Sequence, residues 1–74
     1  MLIETLSQDE ILNICQCLLE TSALKRELSI YTIPICDAME YVVLNGYDYN
    51  VLSEKFPTVT QMIEGFVLMD ILNK

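Results

Sequence analysis

The chain contains no histidine and no tryptophan, and only four of its 74 residues are basic. Without histidine there is no imidazole to act as a general base near neutral pH. The only glycines are Gly46 and Gly65, so no phosphate-cradling loop exists, and no serine lies in a nucleophile motif. These absences point away from catalysis: the chain is expected to be no enzyme, with no cofactor, no bound metal and no small-molecule substrate. Three cysteines cannot close into a disulfide framework, since one thiol always remains, and a reducing compartment suits them better. The opening Met1-Leu2-Ile3-Glu4 is not a basic leader, and no apolar run approaches the roughly 20 residues that span a bilayer. A cytoplasmic protein without membrane contact is expected.

What is present is an apolar, acidic chain. Apolar residues make up 53%, above the usual level of about 45 to 50%, which excludes a disordered tail. At 74 residues the expectation is a single helical domain, residues 1–74, that buries only about 60% of its unfolded surface and gains from association. Surplus apolar side chains in so small a domain tend to lie on a second face that a partner covers. Eleven acids against four bases give a net charge of -7. A nucleic-acid binder normally presents a basic stripe, and here only Lys25 and Arg26 are adjacent. An acidic surface suits a basic protein partner, or simply keeps an apolar protein soluble.

The elements read as helices. Ser7-Gln8-Asp9-Glu10 is a capping box, and Ile11, Leu12, Ile14, Cys15, Leu18 and Leu19 follow helical spacing, predicting a helix from about 8 to 21 with a break near Thr21-Ser22. Pro34 fits a first helical turn, followed by an apolar stripe of Ile35, Ala38, Met39, Val42 and Val43, and Asn45-Gly46 is a stop. Asp48 caps a short helix of about 49 to 56 that carries Val51, Leu52 and Phe56 and ends before Pro57. Thr58 to Gln61 is a second capping box, opening a last helix of about 58 to 73. No strand alternation occurs. The expected fold is all-α, a small bundle of four to five short helices.

Several residues invite a functional reading. Cys15 and Cys17 are two apart on a helix and cannot chelate one zinc ion, so Cys15 reads as core. Cys36 reads as buried packing rather than a reactive thiol. Asp9 and Glu10, and likewise Asp37 and Glu40, are expected in first helical turns, where the dipole favours them. Residues 48–73 place a short helix, a tight turn and a capped helix in order, a degenerate helix-turn-helix. Lys55, Thr58, Thr60, Gln61 and Glu64 would be its outward positions, for DNA or partner contacts. On the last helix Val59, Ile63 and Phe66 define a packed face, leaving Phe66, Leu68, Met69, Ile71 and Leu72 as a candidate oligomer interface. Asp37, Glu40, Tyr41 and Asp48 form a candidate acidic partner face.

Residues 38–56, AMEYVVLNGYDYNVLSEKF, carry Ala38-Met39, an apolar run ending in Asn45-Gly46, and Ser53-Glu54-Lys55-Phe56 ahead of the turn. In this pattern the chain resembles the PapB family of fimbrial (adhesin biosynthesis) transcription regulators, over residues 35–72 when the final helix is included. The resemblance implies a small oligomeric regulator of virulence, plasmid or phage genes. Three functions follow. The first is transcription regulation through protein–protein contacts, as an oligomer or with a partner regulator. The second is direct DNA binding, expected to be weak at this charge. The third is an inhibitor or immunity-type protein whose acidic face occupies a basic site.

Overall fold

The computed structural model describes residues 3–24 and 30–72. All regular structure among them is helical: a 3-10 turn at Ile3–Thr5, then α1 (Gln8–Leu24), α2 (Thr32–Asn45), α3 (Tyr49–Lys55) and α4 (Pro57–Leu72). The chain is a small all-α bundle. No helix among the described residues is long and apolar enough to cross a membrane.

Short polar residues set the helix ends. The Ser7 amide donates to Glu10 Oε1 at 3.0 Å and the Glu10 amide donates to Ser7 Oγ at 3.2 Å, the reciprocal pair of a capping box. Hydrogen bonding from Ser7, first from its backbone amide and then from its side chain, holds the Glu10 carboxyl below its ordinary pKa. The expected break near Thr21-Ser22 does not occur, and α1 continues to Leu24. Thr21 lies inside the helix and donates its hydroxyl to the Cys17 carbonyl at 3.1 Å, a bond available to threonine there.

Helix α2 starts at Thr32, two residues ahead of Pro34, so the proline still sits in the first turn. It closes at Gly46, whose φ of 83° only glycine adopts without strain, with the Gly46 amide donating to the Val42 carbonyl at 2.8 Å. Asp48 then accepts from the amides of Asn50 at 2.9 Å and Val51 at 3.4 Å, opening α3. A single residue, Phe56, separates α3 from α4. Its amide donates to the Leu52 carbonyl at 2.7 Å and its carbonyl accepts from the Thr60 amide at 2.9 Å. Helix α4 therefore begins at Pro57, and Thr58 lies inside the first turn. The capping box expected at Thr58-Gln61 is displaced, because proline at the first helical position supplies the start.

The core draws on every element. Ile11 and Cys15 from α1, Ile35, Ala38 and Val42 from α2, Leu52 from α3, Val59 and Ile63 from α4, and Ile3 from the 3-10 turn are buried together. Val43, expected in the α2 stripe, is exposed instead, since the buried arc is narrow and Val43 is turned by about 100° from Val42. Two tyrosines fasten the periphery: Tyr47 donates to the Ile3 carbonyl at 2.7 Å, and Tyr49 donates to Glu64 Oε1 at 2.8 Å. Among the described residues one buried polar group is left over, the Ser22 hydroxyl, which has no hydrogen-bond partner there.

Two predictions concern stability. Ile63→Ala should cost about 2 to 4 kcal/mol by opening a cavity, while Ser22→Ala should be neutral or stabilise by up to about 1 kcal/mol, because it removes an unsatisfied buried group; urea unfolding measures both. The second concerns alkaline pH. Burial pushes the Cys15 thiol from an ordinary 9.0 up to about 11, and Tyr47 is raised from 10.0 to about 12, chiefly by burial. Both groups stay protonated in the fold over a range where the unfolded chain ionises, so the unfolded state binds fewer protons there. Their contribution is complete below pH 9 and is lost as pH rises through about 11 for Cys15 and about 12 for Tyr47. The urea midpoint should fall over that window, and Cys15→Ala should flatten its lower part.

Candidate functional site

The outer side of α2 carries the most side chains without an internal role. At 100° per residue, Ile35, Ala38 and Val42 face the core and Ile33, Asp37, Glu40 and Leu44 run along the opposite side. Ile33 is 73% exposed and Leu44 72%. The two carboxylates stand between them. Asp37 is the sixth residue of α2 and Glu40 the ninth, and no acid occupies the first turn. The dipole therefore does not account for them, contrary to expectation, because α2 begins earlier than Pro34 suggests.

Asp37, Glu40, Tyr41, Leu44, Asn45 and Phe56 line a recess of about 300 Å³ between α2 and the end of α3. The Tyr41 and Phe56 rings meet at 6.2 Å between centroids, tilted by 58°, and the Lys55 ammonium lies 5.7 Å from the centre of the Tyr41 ring, within cation–π range. Phe56 also lines a second recess, of about 290 Å³, with Ile30, Tyr31, Pro34, Lys55, Pro57, Thr58 and Val59. One aromatic ring thus borders both recesses. Lys55 is the only basic residue among those described, and with it over Tyr41 no cation among the described residues pairs with Asp37 or Glu40.

Three of the four acidic-face residues come together, and Asp48 does not. It caps α3 and lines a separate recess with Glu4, Tyr47, Tyr49 and Asn50. Of the residues expected to face DNA or a partner, Lys55, Thr58, Gln61 and Glu64 are exposed, whereas Thr60 is buried at 3% exposure and donates to the Phe56 carbonyl at 2.9 Å. Thr60 stands three residues before Ile63 and so within about 60° of it around α4, on the core side. Glu64 is held by the Tyr49 hydroxyl, which raises the Tyr49 pKa. Two would-be contact groups, Lys55 and Glu64, therefore already have partners.

On α4, Leu68 is 57% and Met69 60% exposed, with Phe66 at the margin of exposure at 38%. Phe66 thus belongs only partly to the packed face expected of it. The side chains of Ile71 and Leu72 lie outside the described residues. Ile33, Leu44 and the double role of Phe56 escaped the sequence reading. The 33, 37, 40, 44 spacing was the available signal, and it emerges only once the start of α2 is known.

Among the described residues no group of three or more metal-ligating side chains assembles. Cys15 is buried, while Cys17 and Cys36 are exposed free thiols, so Cys36 does not pack as expected: it lies off the α2 arc that faces the core. A disulfide-exchange reagent such as DTNB should titrate the Cys17 and Cys36 thiols in the native protein and release the Cys15 signal only on unfolding. Rapid native reaction of all three would contradict this burial.

No protein-family model, curated protein or solved structure matches the chain.

Proposed function

We propose that the chain is a small regulatory module without catalytic activity that binds a basic protein partner through the outer side of α2. The observation that carries this reading is the stripe Ile33, Asp37, Glu40, Leu44, in which two largely exposed aliphatic side chains bracket two carboxylates that pair with no cation among the described residues. Covering a large aliphatic side chain is worth roughly 1.5 to 3 kcal/mol before the cost of association. A cation brought to Asp37 or Glu40 gains further from the net charge of -7.

The regulatory part of the proposal, modulation of transcription through contact with a partner regulator, rests on the PapB-like pattern of residues 35–72. Direct DNA readout fits less well. Its candidate cation, Lys55, lies over Tyr41, and Thr60 is buried. Inhibition of a basic enzyme would use the same α2 surface and differs in the identity of what is bound.

The test compares tagged chains in native-cell capture: wild type, the Ile33→Glu/Leu44→Glu pair, and Gln61→Ala on the far helix. A basic protein should be retained by wild type and Gln61→Ala and lost by the pair, with helical circular dichroism unchanged in all three. Identification of a regulator or an enzyme then separates the two roles. Equal capture by the pair, or submicromolar sequence-dependent retention of promoter DNA in a gel shift, would refute the proposal.

A further inference from the structure

The recess between α2 and the end of α3 has a chemistry narrower than its charge. Asp37, Glu40, Tyr41 and Leu44 follow the i, i+3, i+4, i+7 spacing that sets side chains next to one another along one helix face. Together with Asn45 and Phe56 they line its volume of about 300 Å³. Asp37, Glu40 and Leu44 are exposed, whereas Tyr41 and Phe56 are half-buried. Two solvated carboxylates therefore border two partly covered aromatic rings. The Asn45 side-chain amide donates to the Tyr41 carbonyl at 3.2 Å and so is engaged within α2.

The chain's own cation shows how these rings can be used. The Lys55 ammonium lies 5.7 Å from the centre of the Tyr41 ring, within cation–π range. Yet Lys55 borders the neighbouring recess with Pro57 and Thr58, and not the one that holds Asp37 and Glu40. The acidic recess thus keeps its carboxylates for a cation from outside, beside a ring that already accepts one.

The walls then choose between the two cations a basic protein can offer. The lysine ammonium is a compact, strongly hydrated point charge, to which carboxylates alone would suffice. The arginine guanidinium is planar and weakly hydrated, pairs with carboxylates through parallel N–H donors and lies flat on aromatic rings. Tyr41 and Phe56, with centroids 6.2 Å apart and planes tilted by 58°, are not sealed face to face against each other. A recess at the low end of the range of about 300 to 1,000 Å³ for ligand pockets suits one long side chain.

We propose that this recess takes an arginine side chain of the basic partner, its guanidinium lying against the Tyr41 and Phe56 rings and paired with Asp37 and Glu40. The inference rests on the reading of α2 as the partner surface and names the residue type that the surface selects. Leu44 covers the arginine stem, and Ile33, outside the recess, contributes aliphatic contact beyond it.

Two blocked tripeptides, acetyl-Ala-Arg-Ala-amide and acetyl-Ala-Lys-Ala-amide, test the recess without the native partner. Each is titrated into the isotopically labelled chain and followed by NMR. The arginine peptide should shift Asp37, Glu40, Tyr41 and Phe56 saturably, and the lysine peptide should bind at least about threefold more weakly. Asp37→Asn/Glu40→Gln should abolish the saturable shifts. Tyr41→Leu should weaken arginine binding by about threefold or more while Tyr41→Phe retains it. Lys55→Met, by removing a nearby positive charge, should tighten binding by about twofold, and Ile33→Glu should leave it unchanged. Circular dichroism confirms that each variant is folded. Equal binding of the two peptides, or shifts indifferent to Asp37→Asn/Glu40→Gln, overturns the proposal. So does native-cell capture in which Tyr41→Leu retains a basic partner that Ile33→Glu/Leu44→Glu loses; that result removes the arginine slot and leaves the α2 surface standing.

Discussion

Four side chains, one from each helix, share the centre of this molecule: Ile11, Ile35, Leu52 and Ile63 are each buried to 1% exposure or less. Because every helix contributes to the same small core, the rotation of each about its own axis is fixed by a few contacts, and the outward faces are fixed with it. The exposed stripe of α2 follows from Ile35, Ala38 and Val42 facing in. The outer face of α4 follows in the same way from Val59 and Ile63. A domain of this size has little stability in reserve, so the packing that defines these faces leaves little room for rearranging them.

The acidic residues divide by whether the fold employs them. Glu10 completes a cap, Asp48 opens α3, and Glu64 accepts the Tyr49 hydroxyl. Each of these carboxylates has a local structural reason. Among the described residues Asp37 and Glu40 have none of this kind: they stand beyond the first turn of α2, and the nearby Lys55 sits over an aromatic ring instead. Charge that a fold leaves uncompensated beside exposed aliphatic side chains favours an external cation. The division comes from tracing each carboxylate to its hydrogen bonds, which the bulk charge of the chain conceals.

Much of the architecture was legible in the sequence because its signals are local. The Ser7-Glu10 box, the Gly46 stop and the Asp48 cap each depend on a few adjacent residues, and the structure realises all three. The errors arose where tertiary context or a neighbouring residue competed. Thr21 lies inside an α1 that runs on to Leu24, its hydroxyl turned back to the Cys17 carbonyl. Pro57 took over the start of α4 from Thr58, and Thr60, three residues from Ile63, lies on the core side whichever residue opens the helix. Cys36 was assigned to the interior on the general habit of cysteine, although the α2 arc that packs is narrow and excludes it. The candidate binding stripe was harder still to see, since Ile33 precedes Pro34 and looks like loop until α2 is known to begin at Thr32.

The joint at Phe56 has a mechanical consequence. Its amide closes the last turn of α3 and its carbonyl starts the first turn of α4, so the connection contains no slack in which a displacement could dissipate. The two helices meet at a one-residue bend and are linked again by the Tyr49 to Glu64 bond. The ring at the bend borders both recesses beside α2. Whatever fills either recess therefore touches the one residue that joins the two helices.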